Sequence, residues 1–130
     1  MDSTKILIVD DNPTIRKGLS IRLRANGYEV LCAEDAISAT SALVTEKPDL
    51  MILDLGLPCG DGFKVMERLH KSDRLAHIPV IVVTGFEVAG NRDRALRAGV
   101  AAFFQKPVGN DDLLCAIRKA LDLSRAEFAH

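Results

Sequence analysis

The chain has 130 residues, 48% hydrophobic and 27% charged, enough apolar material for one compact domain with its own core. Its 17 Lys and Arg against 18 Asp and Glu give a net charge of -1, which argues against binding nucleic acid by bulk charge. No apolar run reaches the ~18 residues of a membrane helix, and the start is too brief for a signal peptide, so a cytoplasmic protein is expected.

Three cysteines (Cys32, Cys59, Cys115) stand far apart with no CxxC pattern, which favours reduced thiols over a disulfide frame. His70, His77 and His130 show no ligand spacing with them and read as surface residues. Cys59 is the thiol expected to be most exposed, as an incidental loop cysteine.

In chain order, five short apolar runs alternate with five helical patterns. The runs are Ile6 to Val9, Tyr28 to Ala33, Leu50 to Leu53, Val80 to Val83 and Ala101 to Phe104. The first, third and fourth are continuous and aliphatic, as strands buried on both faces of a parallel sheet should be, and the mixed second reads as an edge strand. Asn12 and Pro13 open the first helix, with Ile15, Leu19 and Leu23 inward, and Asn26-Gly27 stops it. A second, Ala-rich helix begins near Asp35 and ends before Pro48. A third starts at Gly62 behind an Asp61 cap, with Phe63, Met66 and Leu69 inward. A fourth covers about Asn91 to Ala98 and stops at Gly99. The fifth starts near Asn110 and carries Leu113, Ile117 and Leu121. Strict alternation with short connections predicts an α/β fold, a doubly wound parallel sheet with helices on both faces, as one domain over residues 1–130.

Such sheets bind ligands outside the carboxyl ends of their strands. There the sequence places Asp10 and Asp11, Asp54, Thr84 and Lys106. Alone, each has a plain structural use, as a cap, a turn or a solvated charge. Together they bring three carboxylates, a hydroxyl and an ammonium to one crevice. Crowded carboxylates repel unless a cation intervenes, and an all-oxygen anionic pocket suits Mg²⁺. One carboxylate can then attack phosphorus, while Lys106 and Thr84 stabilise charge on the phosphoryl oxygens.

Ile6-Leu7-Ile8-Val9-Asp10-Asp11-Asn12, Leu53-Asp54-Leu55-Gly56-Leu57-Pro58 with Asp61-Gly62, Pro79 to Thr84, and Phe104-Gln105-Lys106-Pro107 together resemble the receiver domain of bacterial two-component response regulators. The resemblance runs from Lys5 to about Leu123 and implies a five-stranded, flavodoxin-like sheet of order 2-1-3-4-5. It implies Asp54 as phosphoacceptor. Asp10, Asp11, Asp54 and the Gly56 carbonyl would form the Mg²⁺ site, with Asp11 ahead of Asp10 as direct ligand. Thr84 would be the switch hydroxyl, Phe103 the switch aromatic and Lys106 the phosphate-pairing cation, with a cis Lys106-Pro107 bond.

The resemblance also implies a sensor histidine kinase or histidine phosphotransfer protein as donor, and a downstream protein target docking between about Asn91 and Leu123. It implies a monomer or phosphorylation-dependent dimer, and a regulatory domain rather than an enzyme, limited to phosphoryl transfer to and hydrolysis from Asp54. The Met1 start favours a free-standing or N-terminal receiver, and a DNA-binding role would need a helix-turn-helix beyond His130. Gly56 and Gly85 leave the acceptor open to water, which Phe86 could offset.

Three other readings compete with this one. A degenerate, phosphorylation-independent receiver is disfavoured by the full residue set. A Mg²⁺-dependent aspartyl-phosphate phosphohydrolase is disfavoured by Gly56, where such enzymes carry a second Asp. A nucleotide-binding fold is disfavoured because Asp10 and Asp11 would repel its phosphate.

Overall fold

A computed structural model describes residues 3–58, 62–85 and 91–128. The elements run β1 (Lys5–Val9), α1 (Pro13–Ala25), β2 (Glu29–Ala33), α2 (Ala36–Glu46), β3 (Leu50–Leu53), α3 (Gly62–Lys71), β4 (Val80–Thr84), α4 (Arg92–Arg97), β5 (Ala102–Gln105) and α5 (Asn110–Phe128). The five strands form one parallel sheet of order β2-β1-β3-β4-β5. β2 is an edge strand, as its mixed sequence predicts.

The helix ends follow local chemistry. The Asn12 side chain accepts from the Thr14 and Ile15 amides, with Pro13 at the first helical position. Asp35 and Ser38 close a capping box on α2. Gly99 has φ +91° just past α4, a conformation that costs other residues energy.

Each face of the sheet carries its own apolar cluster. On one face, Leu7, Val9, Met51, Leu53, Val80 and Val82 pack against α2, α3 and α4. On the other, Ile6, Ile8, Ile52 and Ile81 pack against Leu19 and Leu23 of α1 and Leu113 and Ile117 of α5. This alternation explains why the central strands are aliphatic throughout.

Two details refine the sequence reading. In α3 the buried stripe is Gly62, Val65, Met66 and Leu69, while Phe63 packs against the same cluster but is only half-buried. One helical position puts Phe63 about 100° around from Gly62, where its ring lies under the Arg94 guanidinium. In β5, which begins one residue later than expected, Phe103 and Phe104 are both half-buried, on opposite faces. An edge strand leaves neither face fully covered. The expectations for Asp61, Cys59, Phe86 and His130 fall outside the described residues.

Gly62 fixes how closely α3 approaches the segment that follows β3. A Cβ there would lie 2.6 Å from Leu55 Cα and 3.0 Å from the Asp54 and Leu55 carbonyl oxygens, all backbone atoms that cannot rotate away. Gly62→Ala should therefore destabilise the domain by about 1–3 kcal/mol. Gly18→Ala, in α1 with nothing within 4 Å of the new Cβ, should stabilise it by about 0.5–1 kcal/mol through helix propensity. Thermal melts of the two variants should move in opposite directions from the wild type.

Candidate functional site

The sheet register assembles the site. Val9 is paired with Leu53, so Asp10 and Asp54 leave adjacent strands side by side. Thr84 ends β4 opposite Gln105, which places Lys106 one residue beyond. Backbone hydrogen bonds continue past the strand ends, from Asp54 N to Val9 O at 2.9 Å and from Lys106 N to Thr84 O at 2.7 Å. The functional side chains therefore stand on backbone that is still held in the ladder.

Asp10, Asp54 and Thr84 are buried, with 3%, 5% and 0% of their surface exposed. Every oxygen of the two buried carboxylates has a donor. Lys106 Nζ donates to Asp10 Oδ2 at 2.7 Å and to Asp54 Oδ2 at 3.0 Å. Asp54 Oδ1 accepts from Thr84 Oγ1 and from the Gly56 amide, each at 2.8 Å. Asp10 Oδ1 accepts from the Asn12 amide at 2.9 Å. Asp11 is different: it is exposed, and its carboxylate makes no hydrogen bond among the described residues. Carboxylate oxygens of Asp10, Asp11 and Asp54 all lie within 4.8 Å of one another.

The site residues named from the sequence thus come together, with Phe103 apart from them. Phe103 sits on β5 opposite Val82 and packs against the cluster under α2, α3 and α4. The Lys106-Pro107 bond is cis.

Arg16 also supports the site, although no sequence motif marks it. Its Nη1 donates to the Asp10 carbonyl at 2.6 Å and so holds the peptide that joins the two acidic residues. A signal for it exists, because a cation in the first turns of a helix opposes the helix dipole and needs a nearby compensating group.

Burial pushes the Lys106 ammonium towards deprotonation, but its hydrogen bonds to Asp10 and Asp54 and their charges jointly outweigh this, and its pKa is raised. A raised cation contributes stability in full below the unfolded lysine pKa of about 10.4 and loses it as pH rises through the folded value. Lys106→Met should cost about 3 kcal/mol at neutral pH, because two buried carboxylates lose their counter-ion. Adding Asp54→Asn should recover part of that loss. In denaturant melts from neutral to alkaline pH, the wild-type advantage over Lys106→Met should hold at neutral pH and shrink as pH rises above about 10.4.

Comparisons with known proteins identify the family and the fold. The family model described as the response regulator receiver domain matches residues 6–118. Among curated proteins, the chain is 37% identical over 117 residues to the DNA-binding dual master transcriptional regulator RpaA of Synechocystis sp., covering 90% of this chain and 48% of RpaA. It is 33% identical over 122 residues to the C4-dicarboxylate transport transcriptional regulatory protein DctD of Pseudomonas aeruginosa, covering 94% of this chain and 26% of DctD. The chain thus spans half or less of the length of these two relatives. Among solved structures, a response regulator receiver domain protein (CheY-like) from Methanospirillum hungatei JF-1 superposes with TM-score 0.88 at 33% identity, covering 97% of this chain and 99% of that one. The receiver domain of the sensor histidine kinase PA1611 from Pseudomonas aeruginosa PAO1, which has a magnesium ion coordinated in its active site cleft, gives 0.83 at 26% identity, over 93% and 99%.

Proposed function

The chain belongs to the response regulator receiver family of two-component signalling, and from that premise we propose that Asp54 is the carboxylate that takes the phosphoryl group. The observation that carries this reading is the convergence of Lys106, Thr84 and the Gly56 amide on the Asp54 carboxylate. Asp10 shares Lys106 but lacks the hydroxyl, and Asp11 has neither.

In the proposed reaction an Asp54 oxygen forms a bond to phosphorus as the bond from phosphorus to a donor imidazole nitrogen breaks. The imidazole leaves with the electron pair. The donor is a sensor histidine kinase or a histidine phosphotransfer protein. Lys106 neutralises charge on the phosphoryl oxygens, and the Thr84 hydroxyl donates a hydrogen bond to one of them. Hydrolysis of the acyl phosphate resets Asp54, and no separate substrate is turned over. Gly56 has no side chain to shield that bond from water.

The donor set fits a divalent cation. Three carboxylates converge with one ammonium among them, and every donor is a hard oxygen. We infer that Asp10, Asp11, Asp54 and the Gly56 carbonyl would hold Mg²⁺, with Asp11 the carboxylate most available to it. Such an ion supplies charge neutralisation between the acceptor and the incoming phosphoryl group.

The proposed output runs through Thr84 and Phe103 to α4, β5 and α5, where a downstream protein would dock. The proposed unit is a single receiver domain over residues 1–130 with its core from about 5 to 123, monomeric or dimerising on phosphorylation. A cytoplasmic location is in keeping with the described helices, none of which is long and apolar enough to cross a membrane.

Acetyl phosphate with Mg²⁺ should add one phosphoryl group to the wild type and none to Asp54→Asn, read by intact mass. Equal labelling of the variant would remove Asp54 from its role. Metal-free Asp11→Asn should melt higher than metal-free wild type, because it relieves carboxylate repulsion, yet gain much less from Mg²⁺. If the dissociation constant is ~1 mM, ~10 mM Mg²⁺ stabilises the wild type by about 1.4 kcal/mol, a rise of roughly 5 °C. Equal stabilisation of both proteins in thermal melts would show that Asp11 is not a ligand.

A further inference from the structure

A second concave surface lies away from the acidic pocket. A groove of about 640 Å³ runs between α3 and α4, with Phe63, Met66 and Ala98 as its apolar part. Its charged part is cationic. Arg94 stacks over Phe63, with the guanidinium carbon 3.8 Å from the ring centroid, and makes no ion pair among the described residues. Stacking occupies the flat face of a guanidinium and leaves its in-plane N–H groups available to a carboxylate. Glu67, the acid in the lining, is already neutralised by Lys71 at 2.7 Å. His70 also lines the groove.

The wider charge distribution points the same way. Residues 62–98 carry seven Lys and Arg against four Asp and Glu, while the rest of the chain carries ten against fourteen. A region of net charge +3 therefore sits on a chain whose remainder is at -4.

We propose that the α3–α4 groove docks a protein partner through a short acidic segment that carries a large apolar side chain. The apolar side chain lies against Phe63, Met66 and Ala98, and flanking carboxylates pair with Arg94 and the neighbouring cations. Charge complementarity selects the acidic segment. A long phosphate polyanion is disfavoured because, beyond the groove, it would meet the acidic remainder of the chain. This docking does not depend on which carboxylate accepts the phosphoryl group.

The test is an amide-resonance titration of the isotope-labelled chain with a blocked synthetic peptide in which Glu and Asp alternate with Leu and Phe. Shifts should cluster on Phe63, Glu67, Lys71, Arg94 and Ala98, with a dissociation constant of about 0.1 mM. Arg94→Glu combined with Lys71→Glu, both exposed positions that should leave the melting temperature near wild type, should raise that constant about tenfold. Arg22→Glu, on α1, should leave it unchanged. Asp54→Asn should also bind as the wild type does, so the docking and the phosphoryl reading succeed or fail separately. Absence of shifts at about 1 mM peptide, or equal weakening by Arg22→Glu, would overturn the proposal. So would an oligodeoxythymidylate that shifts the same resonances at lower concentration, since the occupant would then be a phosphate polyanion.

Discussion

The Lys106 ammonium lies between two buried carboxylates, 2.7 Å from Asp10 and 3.0 Å from Asp54, and the carboxyl edge of the sheet is organised around that ion. Two carboxylates with so little exposure would be costly without a cation of their own. Lys106 comes from β5, at one edge, and reaches carboxylates that follow β1 and β3. The ion pairs thus tie together strands that are not neighbours, and they do so at the point where the strand order reverses, between β1 and β3. That crossover opens the crevice in which the acidic residues face one another.

The hydrogen bonds around Asp54 serve two purposes. They satisfy a buried carboxylate, which the fold requires, and they hold its two oxygens in fixed directions, which the proposed attack on phosphorus would require. Asp11 has the opposite character. It is exposed and unbonded among the described residues, and Arg16 anchors the peptide just before it. An acid held in place through its backbone, with a free side chain, is well suited to a ligand that comes and goes. Under the proposed metal role, Asp10 would serve the buried ion pair and Asp11 the incoming ligand.

Charge is unevenly placed on the molecule. The crevice at the strand ends concentrates carboxylates, whereas α3 and α4, the helices that follow the Asp54 and Thr84 strands, present cations to solvent. On the proposed readings, the crevice takes the small cation and the phosphoryl group, and the groove takes an acidic surface.

The sequence by itself determined the order and type of every element, because those depend on rules local to a few residues. Asn12 and Pro13 start α1, Asp35 caps α2, Gly99 ends α4, and aliphatic runs mark β1, β3 and β4 as central strands. It also named the acidic, hydroxyl and ammonium side chains that meet at the carboxyl edge, since strand ends could be counted along the chain. Tertiary structure alone decided what depends on packing between distant segments. It turned Phe63 towards Arg94 and left Val65 in the core, and it half-buried Phe103 and Phe104 on opposite faces of an edge strand. It also gave Lys106 to Asp10 and Asp54 rather than to Asp11, across a separation of 96 residues for the first pair and 52 for the second. Strand register and helix packing set those contacts, and neither has a signature within the few residues over which capping, turns and periodicity operate.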